Sequence, residues 1–382
     1  MTDDALPKRT VEQLDRMADA LDAFDALLLR LGLQGLQRVS KASADELLAL
    51  EQTAHSAGLI TLSRTVNALS TQITRALDRD PLFEMGAFRS TINRLWLLVR
   101  RTRARLAEGA LPDDMLGLIG QARRSFALLD APLDLQALGA TGWVSDTGFV
   151  GVTIHFSAVD SNEVLQVSSA RPTMYFGDDP QRLMRMPVND ELDLEVSALA
   201  HGAWRFTKAK KSSDGRLSLH RELELTPSAW RGGHAYDAFA AADWTALVER
   251  LRRAEVQPIG GDGPPLVYIE PAAVDPVRTD TKRGQATAEA RDRHGAPLDV
   301  HVPLRRENNL LVDNLERIFG PGKGGRAPRP DGLFGRLSVA DDRLRLMPWT
   351  AVYAEPIQLA ARRGGTRHTV HLSLESLEGA RR

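Results

Sequence analysis

Cysteine is absent from this 382-residue chain. That excludes disulfides, thiolate zinc sites, iron–sulfur clusters and cysteine nucleophiles. Long apolar runs are missing too. The densest stretches, Ala26–Leu31 and Leu95–Val99, have arginine within or beside them. Both fall far short of the roughly 20 residues a membrane helix needs. The opening MTDDALPKRTVEQ has no apolar stretch behind its basic residues, so no secretory leader is read and a cytoplasmic location is expected. Net charge is also nearly absent, at −1, which excludes attraction of the whole molecule to nucleic acid.

What is present suits a globular protein. Hydrophobic residues make up 43% and charged residues 26%, enough apolar material to bury a core. The length predicts two or three domains. Charge is uneven: Lys323–Arg382 carries 11 Lys/Arg against 6 Asp/Glu, whereas residues 1–130 balance at 17 against 17. A basic C-terminal segment is either a solvated surface or a binding surface for an anion.

Residues 1–130 predict five amphipathic helices, because apolar residues recur at helical spacing. The stripes are Val11, Leu14, Leu21, Phe24, Leu28 and Leu31; Leu47, Leu48 and Ala54; Leu62, Val66, Leu69, Ile73 and Leu77; Phe88, Ile92, Leu95, Trp96 and Val99; and Met115, Leu118, Ile119, Ala122, Phe126 and Leu129. Thr10…Gln13 and Ser43…Glu46 read as capping boxes, Gly58 as a left-handed C-cap, and Asp80-Pro81 as a stop. Trp96 and Phe126 are expected in the core.

After Pro132 the period changes from 3.6 to 2. Val150, Val152, Ile154 and Phe156 alternate with smaller or polar residues, which predicts a half-buried strand. Val164–Ser168 and Thr173–Phe176 read as shorter strands. Ala203–Lys210 and Arg216–Leu225 read as a hairpin around Asp214-Gly215, pairing Trp204 with Leu225, Phe206 with Leu223 and Arg205 with Glu224. Further on come a helix with Trp244, Leu247, Val248 and Leu251 on one side, a Gly/Pro-rich break at Gly260–Pro265, and strands at Leu266–Ile269 and Leu298–Val302. A helix bearing Leu311, Leu315, Ile318 and Phe319 follows, then strands at Leu333–Val339, Arg343–Leu346 and Thr369–Leu374.

No set of acid, base and nucleophile assembles at a recognisable spacing, so an enzyme is the least favoured class. Gly320–Pro330 is glycine-rich and basic, but it follows a helix and lacks the first glycine and the hydroxyl of a phosphate loop. Asp299 and His301 share a strand face. His368 and His371, three apart on a strand, face opposite sides and are not expected to share a metal. Asp280-Thr-Lys282 is a fragment of a nuclease-like spacing without further carboxylates. No catalytic residue, cofactor or metal is assigned. The candidate phosphate-contacting residues are Lys208, Lys210, Lys211, Arg216 and Arg221 at the hairpin tip, with Lys323, Arg326 and Arg329 in the C-terminal segment.

Several short motifs carry a family resemblance. Ala57-Gly58-Leu59, Arg94-Leu95-Trp96-Leu97-Leu98, Gly151–Phe156, Leu333-Phe334-Gly335, Leu344-Arg345-Leu346 and Pro348-Trp349 together resemble the helical and β-rich region that follows the zinc finger in bacterial SWIM zinc-finger proteins. The finger itself needs three cysteines and a histidine, which this chain cannot supply, so no ligand position transfers. The resemblance implies a companion module that works beside an AAA-type ATPase or a von Willebrand-A-type protein.

The expected fold is α+β, with a five-helix domain over 1–131, a β-rich subdomain over 132–259 bearing the basic-tipped hairpin, and a second α+β subdomain over 260–382. Two helices interrupt the strand-rich region. The expected function is a non-catalytic scaffold or adaptor acting through protein–protein contacts. The alternative is a nucleic-acid-binding protein that uses the hairpin tip and the basic C-terminal segment.

Overall fold

The computed structural model describes residues 8–381 apart from 36–37, 81–82, 84, 121–125, 146, 162, 213, 231, 242, 246, 249–250, 252–264, 321–326, 341–342 and 361–365. The chain is α+β and divides into two compact units, one within residues 1–124 and one within 125–254 and 263–382.

The first unit is a helical bundle of α1 (Lys8–Gln34), α2 (Lys41–Ser56), α3 (Ile60–Leu77) and α4 (Met85–Ala107). Each helix buries one stripe in a common core that includes Leu21, Phe24, Leu47, Val66, Ile73, Leu95 and Val99. Three of the four helices stop by the same device. After α2, Leu59 N donates to Ala54 O (2.8 Å) and Gly58 N to His55 O (3.1 Å), with Gly58 at φ +81°. This crossed pair of bonds satisfies carbonyls the helix leaves orphaned. Asp80 N to Arg75 O and Ala110 N to Arg105 O repeat it, around Arg79 (φ +54°) and Gly109 (φ +81°). The start of α2 differs from expectation: the helix begins at Lys41, and Ser43 Oγ accepts from Ser40 N.

The expected fifth helix shrinks to a 3₁₀ turn at Pro112–Met115 and one α turn, α5 (Leu116–Ile119). Gly120, in the left-handed region at φ +78°, ends it. Phe126 and Leu128, which continue the helical spacing, belong instead to strand β1 (Phe126–Leu128) of the second unit. Trp96 and Phe126 are not core residues: they are 49% and 39% exposed.

The second unit holds two large sheets. In the first, β2 (Leu133–Ser145), β3 (Phe149–Ala158) and β4 (Val164–Pro172) form an antiparallel meander. Strands β5 (Ala203–Thr207) and β7 (Glu224–Pro227) extend it on the β2 side. Ala140, Val152, Ile154, Phe156 and Val167 line one face, packed with Leu183 of the 3₁₀ turn Pro180–Arg185 and with Val196 and Leu199 of helix α7 (Val196–His201). Residues Thr173–Phe176, expected as a strand, form a single helical turn, α6.

The second sheet orders β10 (Arg278–Asp280), β11 (Gln285–Arg291), β12 (Pro297–Pro303), β14 (Arg343–Gln358), β13 (Gly332–Ala340) and β8 (Leu266–Ile269). Strand β15 (Thr366–His371) also pairs with β14, and β9 (Ala273–Val274) with β11. Helix α8 (Asn309–Phe319) buries Leu311, Leu315, Ile318 and Phe319 against the core beneath. Helical backbone is also present at Trp244, Leu247, Val248 and Leu251. Gly260–Pro264 of the expected Gly/Pro-rich break lies outside the described residues.

Between the two sheets sits an aromatic cluster of Tyr236, Phe239, Tyr268, Phe334 and Trp349 around Leu138. Tyr236 Oη donates to Leu138 O at 2.7 Å, and burial pushes its pKa upward. Glycine makes this approach possible. A Cβ on Gly139 would lie 2.5 Å from Thr350 Oγ1 and 3.3 Å from the Phe334 ring.

Candidate functional site

The hairpin register differs from the expected one by two residues. Phe206 pairs with Leu225 and Trp204 with Pro227, so Leu223 has no partner in β5. The cause lies at Lys208, whose φ of +58° ends β5 after Thr207. The chain then starts a new strand, β6 (Lys210–Ser212), paired with β1. This break brings carboxylates to the lysines. Lys208 Nζ lies 2.6 Å from Glu224, Lys210 Nζ 3.8 Å from Glu222, Lys211 Nζ 3.0 Å from Glu163, and Arg216 Nε 3.5 Å from Asp214. Arg205, expected beside Glu224, instead holds Asp134 through two bonds of 2.9 and 2.6 Å.

Arg221 is exposed, as is Arg329. Lys323 and Arg326 lie outside the described residues. Lys208, Lys210, Lys211 and Arg216 thus each have a carboxylate within ion-pair distance.

The other sequence candidates resolve into local structure. Asp280 Oδ1 accepts from Lys282 N and Arg283 N, both at 3.0 Å, which makes it a turn former. Asp299 pairs with Arg343 at 3.1 Å, and His301 Nε2 lies 3.1 Å from Gln285 Oε1. His368 is exposed and His371 buried, as strand alternation requires.

What sequence reasoning missed is the partner of His371. Thr350 stands opposite His371 in the β14–β15 ladder, and Thr369 lies two residues before it on the same strand face. Across from them, the end of α7 delivers His201, whose ring stacks on His371 at 4.3 Å and 17°. His371 Nε2 lies 3.1 Å from Ala200 O, so it carries the proton, and Nδ1 accepts from Thr350 Oγ1 at 3.2 Å. His201 Nε2 donates to Glu375 Oε1 at 2.9 Å, while Nδ1 lies 3.0 Å from Thr369 Oγ1. Glu375 Oε2 closes the turn after β15 by accepting from His371 N at 2.9 Å.

Burial, with the cationic field of His201 second, pushes His371 down to about 3. Glu375 is held down to about 2, because the His201 charge and hydrogen bond outweigh its desolvation. The recurrence of polar residues at Arg367, Thr369 and His371, every second position of β15, was the one signal available.

His201, His371 and Glu375 present ligand atoms within 4.8 Å of one another. Their geometry does not suit a metal, however. Stacked rings direct their in-plane lone pairs along parallel lines, and each ring nitrogen already has a hydrogen-bond partner. The group is a satisfied polar latch joining α7 to β15. Glu375 also reaches the floor of a cleft of about 490 Å³, lined by Arg182, Arg185, Glu195, Ser197 and Arg367 among others.

On the helical unit the geometry is of another kind. Leu29 and Leu33, one turn apart on α1, are 65% and 79% exposed, and Trp96 and Leu97 on α4 are 49% and 39% exposed. Arg103, one heptad beyond Trp96 on the same stripe, bonds Asp22 (2.8 Å) and Asp25 (2.7 Å) of α1. These bonds tie α4 to α1. Helix α4 carries Arg89, Arg94, Arg100, Arg101, Arg103 and Arg105 and no acidic residue. The Arg100 guanidinium sits 5.7 Å from the centre of the Trp96 ring.

Residues 17–117, within this unit, match the family profile of the YehQ four-helical bundle domain. No curated protein matches the chain. Among solved structures, an Ifi202 HINa domain in complex with 20-bp double-stranded DNA is similar at 12% identity and a TM-score of 0.29, over 58% of this chain and 93% of that one. A replication protein A heterotrimer bound to single-stranded DNA is similar at 7% identity and a TM-score of 0.29, over 57% of this chain and 47% of that one. Likeness at this level carries no argument about function.

Proposed function

We propose that this chain is a non-catalytic adaptor, holding a protein partner on the α1–α4 face of its helical unit. The observation that carries the proposal is the exposure of Leu29 and Leu33 on α1 and of Trp96 and Leu97 on α4, which we take as one apolar strip beside a helix whose only charges are arginines. A tryptophan and leucines with arginine around them have the composition of a binding hot spot. The complementary partner is an acidic amphipathic helix, its apolar side on the strip and its carboxylates on the arginines. The SWIM-type resemblance makes an AAA-type ATPase or a von Willebrand-A-type protein the first candidate to try.

Nucleic acid is the competing occupant. The apolar centre of the strip disfavours it, and so do the neutralised hairpin lysines, since phosphate contact depends on uncompensated cations.

The test is affinity capture of tagged full-length chain from its native cell, beside a Leu29→Ser, Leu33→Ser, Trp96→Ser variant. Wild type should retain one stoichiometric protein at low salt. The variant should lose it while keeping its helical circular dichroism. Retention by the variant, or binding of a 20-bp duplex at about 50 mM salt that the variant abolishes, would overturn the proposal.

A further inference from the structure

We infer that the cleft above the His201–His371–Glu375 latch binds an oxyanion through Arg185 and Arg367. The cleft lining brings Asp179, Glu195 and Glu375 together with Arg182, Arg185 and Arg367, and these groups differ in how well they are partnered. Asp179 is engaged by Arg182 at 3.7 Å. Glu195 turns back to accept from Ser197 Oγ at 3.2 Å. Both oxygens of Glu375 are taken, one by His201 Nε2 and one by His371 N. Of the three guanidiniums, only that of Arg182 is ion-paired within the lining. Arg185 ends the 3₁₀ turn Pro180–Arg185 with its side chain exposed, and Arg367 rises from β15. Neither has a carboxylate partner among the described residues.

Arg367 adds a second, independent observation. Its Nε is buried and has no hydrogen-bond partner. Buried donors are almost always satisfied, so this guanidinium is short of an acceptor. A guanidinium pairs best with a planar or tetrahedral oxyanion, through two parallel N–H···O bonds. The hydroxyl of Ser197, on the same lining, offers a further donor once an anion competes with Glu195. The cleft volume of about 490 Å³ accommodates a small phosphoryl or carboxylate compound, or the corresponding group of a larger ligand.

The latch beneath fixes the geometry. Thr369 and His371 follow Arg367 on β15, and both are bonded into the network, so the strand that carries Arg367 is held at its C-terminal end. The anion site lies on the second unit and is independent of the helical face assigned to the protein partner.

Calorimetric titration of the full chain at low salt tests the inference, with inorganic phosphate in one arm and succinate in the other. Saturable one-site binding is expected in at least one arm. Phosphate alone identifies a phosphoryl ligand and succinate alone a carboxylate. Arg185→Gln, Arg367→Gln should bind at least tenfold more weakly with an unchanged melting curve. Arg185→Gln alone, a change at an exposed side chain, should weaken binding measurably. The Leu29, Leu33, Trp96 triple variant should bind the anion like wild type. No binding in either arm, or equal binding by the single and double arginine variants, overturns the inference.

Discussion

At the scale of single residues, close approach and burial create the sensitive positions. Trp143 lies over Gly151 on β3, and its Nε1 donates to Thr153 Oγ1 at 3.0 Å. A Cβ on Gly151 would fall 2.1 Å from the indole. Gly151→Ala should therefore cost about 1–3 kcal/mol by overpacking, read as a lower urea midpoint. Titration supplies a second prediction. His155, desolvated where it stacks on Trp349 at 4.5 Å, is pushed down to about 3, as is His371. Both are neutral in the folded state, whereas the unfolded chain takes up their protons below about pH 6.5. Stability is therefore complete above that pH and is lost as pH falls toward 3, by up to about 1.4 kcal/mol per pH unit for each histidine. Glu375, held down to about 2, adds a loss in the same direction below its unfolded value. Urea titrations at pH 7.5 and pH 5 should show the drop, and His371→Asn should reduce it. An equal pH dependence in the variant would remove His371 from the account.

At the scale of elements, two local devices set the outcome. Gly58 ends α2 in the left-handed region, where a side chain costs about 1–2 kcal/mol. Gly58→Ala should lower the melting temperature of the helical unit by a few degrees, measured by circular dichroism at 222 nm. In the hairpin, Lys208 takes a conformation that interrupts the strand. Pairing rules presumed an unbroken strand and so placed Leu225 opposite Trp204 rather than Phe206. Reversing Lys208, Lys210 and Lys211 to glutamate should set like charges against Glu224, Glu222 and Glu163. A lower melting temperature, partly recovered by added salt, is the expected result. Partner capture by the helical face should be unaffected.

At the scale of the whole molecule, the described residues divide ahead of Phe126, a few residues before the hydrophobic period changes. Residues 1–124, expressed alone, should give a cooperative helical melt, since the bundle core from Leu21 to Val99 closes among its own helices. A fragment without helical circular dichroism would show that the second unit is needed for its fold.

Periodicity alone determined the four long helices, the switch to strands after Pro132, and strands such as Val150–Phe156 and Leu298–Val302. These depend on neighbours within a few residues, so their physics is written locally. Gly58 and the alternation of His368 with His371 were legible for the same reason. The tertiary structure decided the rest. It left Trp96 exposed, because the bundle closes through Leu95 and Val99 on the adjacent stripe. It took Phe126 out of the helical pattern into a strand paired with Lys210–Ser212. It set carboxylates from Glu163 and Glu222 beside the hairpin lysines, and carried His201 across 170 residues to stack on His371. Contacts between distant segments are fixed by how sheets and helices bury their apolar faces together, and no spacing along the chain records them.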